Sequence, residues 1–99
     1  GDAESRARLG FWVGDCFETL GEPEAAIGAF LRVGTRFPAQ GLWGVTALLR
    51  AAALYEGADA LAEARRLYAQ VLAAARAESE IAASAAAGLA RLDRREGRP

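Results

Sequence analysis

The sequence predicts an all-α domain of about five helices, and three observations lead to that prediction. Just over half of the 99 residues are hydrophobic, and alanine is the commonest of them. Alanine is the strongest helix former because it loses no side-chain entropy in a helix. Apolar residues recur at helical spacing rather than in the alternation of a strand. A residue pattern also repeats at an interval of 38 residues, which is typical of helical-repeat proteins.

The first two helices are predicted at 3–20 and 23–36. An apolar stripe at helical spacing defines the first one, and it consists of Leu9, Val13, Cys16, Phe17 and Leu20. Gly21 is expected to end this helix, and Pro23 fits the first turn of the next. The second stripe consists of Ile27, Phe30, Leu31 and Val33. Pro38 and Gly41 close this pair of helices.

Three further helices are predicted at 41–56, 59–77 and 79–96. Asp59 follows a Glu-Gly-Ala turn and is expected to cap the fourth helix at its N-terminus. Ser79 is expected to cap the fifth helix in the same way, because a hydroxyl or carboxylate oxygen accepts from free backbone N–H groups. The fourth helix has its own apolar stripe, made of Leu61, Ala64, Leu67, Tyr68, Val71 and Leu72.

The repeat divides the chain into three copies. Phe17, Ala26 and Phe30 have the same spacing as Tyr55, Ala64 and Tyr68, which lie 38 residues later. Other matches at this offset pair Gly14 with Ala52, Val33 with Val71, and Asp59 with Gly97. The copies cover about 7–40, 45–78 and a truncated 83–99, and all belong to one domain over 1–99. Because the third copy stops early, we expect the chain to be a fragment of a longer protein.

These residues resemble the tetratricopeptide repeat family. The first copy has Gly14, Phe17, Gly21, Ala26, Phe30 and Pro38 at the family's spacing, and the third copy matches weakly. The resemblance implies antiparallel helix-turn-helix units stacked into a right-handed α-solenoid. The lengthened repeat with its Phe37-Pro38 step is similar to those of bacterial cell-envelope assembly proteins. Both the periplasmic cell envelope and the bacterial cytoplasm remain open as the location.

Composition argues against several classes of function. The chain has no histidine and no lysine, and Cys16 is its single cysteine, so neither a metal site nor a cofactor site is expected. We expect no catalytic residues for the same reason. A net charge of −1 argues against nucleic-acid binding. No apolar run approaches the ~20 residues that a membrane-spanning helix needs.

The resemblance implies a concave groove, lined by the first helix of each copy, that binds a peptide or helix of another protein. The groove residues carried over by position are Arg8, Phe11, Asp15, Glu18, Thr19, Thr46, Leu49, Ala53, Glu56, Ser84, Ala87, Arg91, Arg94 and Arg95. One end of this groove would be acidic and the other basic, with Phe11 as an accessible anchor. The alternative is that these charges are ordinary solvated groups.

A second hypothesis makes the chain an assembly element rather than a binding module. The last helix has no following partner, so Ile81, Leu89 and Leu92 are expected to need cover from missing sequence or from a second copy in a homo-oligomer. Trp12 and Trp43 are open to two interpretations. They either seal the core at helix ends or mark an exposed contact surface.

Overall fold

Five α-helices make up the part of the chain that the computed structural model describes, which is residues 2–38 and 42–97. Their bounds are α1 Asp2–Thr19, α2 Pro23–Arg36, α3 Trp43–Gly57, α4 Leu61–Ala74 and α5 Glu80–Arg95. No strand occurs within these two ranges, so the prediction of an all-α chain with about five helices is confirmed. Gly41 and Pro99, on which parts of the repeat prediction rest, lie outside the described residues.

Three of the residues predicted to set helix boundaries follow their expected chemistry. Pro23 occupies the first turn of α2, and Gly21 adopts a left-handed φ of +77° just after α1. The Ser79 Oγ accepts a hydrogen bond of 3.1 Å from the backbone N–H of Ala82, as an N-cap should. The cap predicted at Asp59 is wrong. Asp59 has a φ of +62° and ends the preceding turn, and α4 begins two residues later.

The left-handed backbone positions follow the sequence repeat. Gly21, Asp59 and Gly97 all have positive φ, and they lie at successive intervals of 38 residues. Glycine takes this conformation without a steric penalty, and aspartate is one of the few other residues that tolerate it. The repeated residue pattern is therefore accompanied by a repeated turn after α1, α3 and α5.

The core lies between consecutive helices, each of which packs on the next, and α3 also contacts α1 and α5. Its largest fully buried side chains are Tyr68, Phe30, Leu92, Val33 and Val71. Small residues let these helices approach closely. A Cβ atom on Gly14 would lie 2.7 Å from the Phe30 ring, and one on Gly88 would lie 2.5 Å from the Tyr68 ring.

The apolar stripe predicted on the first helix mostly faces away from this core. Phe17 packs against the core, whereas Leu9 is 62% exposed and Leu20 is 71% exposed. Val13 and Cys16 are exposed as well. The buried side of α1 instead carries small residues, including the fully buried Ala7. Helical spacing identified the apolar face of α1 correctly, but that face is not covered by the described chain.

Candidate binding groove between α3 and α5

A groove of about 320 Å³ lies between α3 and α5, above the Tyr68 ring. Its walls come from the first helices of two successive copies, and small side chains keep it open. The residues that line it are Leu49, Arg50, Ala53, Tyr68, Ser84, Ala87 and Arg91. We call it the α3–α5 groove.

Five of the residues predicted from the repeat come together in the α3–α5 groove. They are Leu49, Ala53, Ser84, Ala87 and Arg91. Arg50 and Tyr68 also line it but were not predicted there. Tyr68 had been assigned to the apolar stripe of its helix, where its ring is indeed buried. The match between Glu18 and Glu56 at the 38-residue offset is the sequence signal that could have pointed to their arginine partners.

Arg50 binds the acidic residues predicted at one end of the surface. Its Nη2 atom donates to Asp15 Oδ1 at 2.7 Å and to Glu18 Oε1 at 2.6 Å. The guanidinium carbon also lies 5.0 Å from the Phe30 ring centroid and 5.4 Å from that of Phe11, within cation–π range. Burial lowers the pKa of Arg50, but the bonds to the two carboxylates outweigh it and the pKa is raised. Arg50 therefore fastens α3 to α1 through both charge and ring contact.

Glu56 forms the equivalent contact one copy later. Arg91 donates to it from Nε at 2.9 Å and from Nη2 at 3.1 Å, while the Tyr68 hydroxyl donates at 2.7 Å. The hydrogen bonds from Arg91 lower the pKa of Glu56 more than burial raises it, and Tyr68 adds to the lowering. Burial, followed by the bond to Glu56, raises the pKa of Tyr68 to about 12. The phenol therefore keeps its proton at neutral pH.

The remaining predicted residues lie around this groove rather than in it. Phe11 is half-buried, with its ring centroid 5.2 Å from that of Phe30 and 5.4 Å from that of Trp43. It is thus a packing residue rather than a freely accessible anchor. The Arg8 guanidinium lies 5.7 Å from the Trp12 ring centroid. Thr46 is half-buried and Arg94 is exposed, and neither lines the groove.

Each of the two tryptophans fits a different interpretation, Trp43 that of sealing the core and Trp12 that of an exposed surface. Trp43 is partly buried and packs against the core beside Phe11, so it helps to seal the first pair of helices. Trp12 is 54% exposed on the outer side of α1.

The residues predicted to form a self-association face lie against the core of the chain. Leu92 is fully buried, and Ile81 and Leu89 are partly buried against the same core. Among the described residues, the exposed large hydrophobic side chains include Leu9, Trp12 and Val13 on α1 and Leu20 directly after it.

Another groove, of about 370 Å³, opens along the edge of α1 and α2, and sequence reasoning missed it. Leu9, Gly10, Val13, Ala29, Val33 and Phe37 form its apolar lining, and three arginines, Arg6, Arg32 and Arg36, complete its walls. We call it the α1–α2 groove. It was missed because Leu9 and Val13 were assigned to the core.

The described residues contain no group of three or more histidine, cysteine or carboxylate side chains that could hold a metal ion. Over the same residues, none of the helices has the length and apolar character required to cross a bilayer. Comparison of the chain with protein-family models, with characterised proteins and with solved structures gives no match.

Proposed function

We propose that this chain is a protein-binding module of the tetratricopeptide type, which holds a peptide or helix of another protein in the α3–α5 groove. The observation that carries the proposal is the groove itself, which lies between the first helices of successive copies. Alanine and serine side chains leave room for a partner's side chains, while Leu49 supplies apolar surface.

Charge pairing along the groove supports a partner of low net charge. Arg50 and Arg91 are each already bound to carboxylates of a neighbouring helix. An incoming peptide would therefore meet charges that are already paired, and apolar surface, rather than the free acidic and basic ends expected from sequence. Shape and apolar contact would supply most of its affinity, and the ion pairs at the rim would orient it.

Selection of peptides from a random displayed library tests the proposal. We expect the enriched peptide to bind Ala87→Trp at least about tenfold more weakly than the original chain, because an indole at that position fills the groove. Ala87 is exposed, so the substitution is not expected to disturb the core. Ala69→Trp is the matched control, because Ala69 is equally exposed on α4 and lines neither groove.

Two outcomes would contradict the proposed function. Equal binding of the selected peptide to Ala87→Trp and to the original chain would place its contact elsewhere. Failure to enrich any peptide over repeated rounds would mean that the α3–α5 groove does not act as a peptide site.

An assembly role is the second candidate function, and the exposed hydrophobic side chains of α1 favour it. Light scattering over a concentration series distinguishes it from the first. A mass that rises with concentration supports assembly, and a constant monomer mass supports a free groove.

A further inference from the structure

The packing of α5 shows which side of the first helix in a copy packs against the helices that precede it in the chain. Among the described helices, α5 contacts only α4 and α3. The residues that it buries are therefore buried by preceding helices, and they are Ala82, Ala85, Gly88 and Leu92.

The equivalent residues on α1, two copies earlier, are Arg6, Leu9, Trp12 and Cys16, and all four are exposed. Val13 and Leu20 continue the same apolar surface toward the end of the helix. We call the surface formed by Leu9, Trp12, Val13, Cys16 and Leu20 the α1 face. An apolar surface of this kind on a water-soluble fold marks an interaction site more often than an ordinary surface. The α1 face thus corresponds to the side of α5 that packs against preceding helices. Among the described residues, no helix covers the α1 face.

The charges beside the α1 face are uncompensated. Arg6, Arg32 and Arg36 line the α1–α2 groove, and none of them forms an ion pair with another described residue. Arginines at the helix junctions behave differently. Arg50 binds carboxylates of α1, and Arg65 binds carboxylates of α5 and of the residue that follows it. Where helices of this chain pack together, apolar contacts are therefore accompanied by arginine–carboxylate ion pairs. The α1 face provides the apolar surface of such a junction, and the arginines beside it provide the guanidinium groups.

We propose that the α1 face and the adjoining α1–α2 groove bind an amphipathic helix of another protein whose apolar stripe is flanked by aspartates or glutamates. From Leu9 to Leu20 the face extends about 16 Å, which matches three turns of a helix. Carboxylates beside the stripe would pair with Arg6, Arg32 and Arg36, where guanidinium groups favour bidentate contact. A second copy of this chain fits less well, because a symmetric pairing through the groove would bring the two sets of arginines together.

A synthetic helical probe tests this proposal. The probe is a fluorescein-labelled peptide of about 18 residues, long enough to form a helix, with leucines at helical spacing flanked by glutamates. A second peptide carries lysines in place of the glutamates. We expect fluorescence anisotropy to show binding of the glutamate peptide at least about tenfold tighter than that of the lysine peptide, with an affinity that falls as salt rises.

Charge-reversal variants locate the site. The pair Arg32→Glu with Arg36→Glu should weaken binding of the glutamate peptide at least about tenfold, and should strengthen binding of the lysine peptide. Arg66→Glu makes the same kind of change at an exposed arginine of α4 outside the groove, so it should leave both affinities within about twofold. Circular dichroism verifies that each variant keeps its helical content.

Three results would overturn the proposal. One is equal affinity for the two peptides, which would make the contact purely apolar. Another is binding that is unaffected by the Arg32 and Arg36 substitutions. The third is a dimer in light scattering that Val13→Asp converts to monomer, because a second copy would then be the occupant of the α1 face.

Discussion

Successive copies meet at two junctions, the first between α1 and α3 and the second between α3 and α5. Each junction binds an equivalent glutamate, but through different residues. Glu18 on α1 and Glu56 on α3 lie at equivalent positions, and each accepts from an arginine of the next first helix. At the first junction Arg50 reaches the carboxylate while its guanidinium lies over Phe30. At the second junction the equivalents of these two residues are Gly88 and Tyr68. The arginine that donates to the glutamate there is Arg91, which lies three residues after Gly88 on α5.

The carboxylate–arginine contact is thus maintained at both junctions although the residues that form it have moved. Glycine at position 88 lets the Tyr68 ring approach the α5 backbone, and the phenol hydroxyl then provides an additional donor to Glu56. The second junction therefore depends on close packing and hydrogen bonds, whereas the first depends on an arginine over aromatic rings.

The largest effect is expected where the second junction is tightest. Gly88→Ala places a Cβ atom 2.5 Å from the buried Tyr68 ring, whose hydroxyl is held by its bond to Glu56. Overpacking should destabilise the chain by about 2 kcal/mol. This loss exceeds the stabilisation that alanine gains over glycine through its higher helix propensity. Urea unfolding followed by circular dichroism measures the loss.

Gly28→Ala is the matched control for this substitution. Its Cβ atom would meet only the Arg32 guanidinium at 3.7 Å, so alanine should stabilise α2 by up to about 1 kcal/mol. Equal stabilities for the two variants would mean that the Tyr68 ring is not packed against α5 as described.

The second prediction concerns the shared glutamate. Glu56→Gln should cost about 1.5 kcal/mol at pH 7, since it weakens charge-assisted bonds from Arg91 and Tyr68. Because the pKa of Glu56 is lowered in the folded chain from an ordinary value of 4.5, its stabilisation is present above that value. It is lost as the pH falls through the lower folded pKa. The difference between Glu56→Gln and the original chain should therefore shrink below about pH 4.

Glu18→Gln gives the comparison at the first junction. Its side chain is 38% exposed, against 15% for Glu56, and Arg50 would keep its second partner Asp15. We expect a smaller loss for Glu18→Gln, on the order of 0.5 kcal/mol. A larger loss for Glu18→Gln than for Glu56→Gln at pH 7, measured by urea unfolding, would reverse the contrast between the junctions.

Sequence reasoning predicted the helices because their signals are local. Pro23 and Ser79 set helix starts through their own backbone and side-chain chemistry, and helical spacing located the apolar faces. Asp59 was assigned wrongly because aspartate suits both an N-cap and a left-handed turn, and only the surrounding backbone decides between them. The apolar face of α1 was assigned to the core because spacing shows that a face is apolar but not that another helix covers it.

The groove residues were predicted less completely than the helices. Leu49 and Arg91 followed from their repeat positions, because the 38-residue offset places them on the same side of successive first helices. Arg50 was not predicted, because its long side chain contacts residues that lie 32 and 35 positions earlier in the sequence. Side-chain reach of this kind follows from the packed helices, and the sequence marks only the carboxylate end of the contact, in the match between Glu18 and Glu56.

The smallest effect is expected at the outer side of the second junction, where Arg65 binds Asp93 at 2.8 Å and Glu96 at 2.6 Å. The equivalents of Arg65 and Asp93 at the first junction are the uncharged Ile27 and Tyr55, so only the second junction should respond to salt here. Arg65→Met should reduce the dependence of the thermal midpoint on sodium chloride. Its effect on the midpoint itself should be slight, because the buried Nε of Arg65 has no hydrogen-bond partner and offsets part of the ion-pair gain.

Arg66→Met is the control for this salt dependence, because Arg66 lies next in sequence, is exposed and forms no ion pair with the described residues. Thermal unfolding by circular dichroism at low and high salt should give nearly the same slope for Arg66→Met and the original chain, and a flatter one for Arg65→Met. If both variants flatten the slope equally, the salt response reflects general surface charge rather than the junction. The second junction would then differ from the first in its packing around Gly88, in the hydroxyl of Tyr68 and in the position of its arginine, but not in its response to salt.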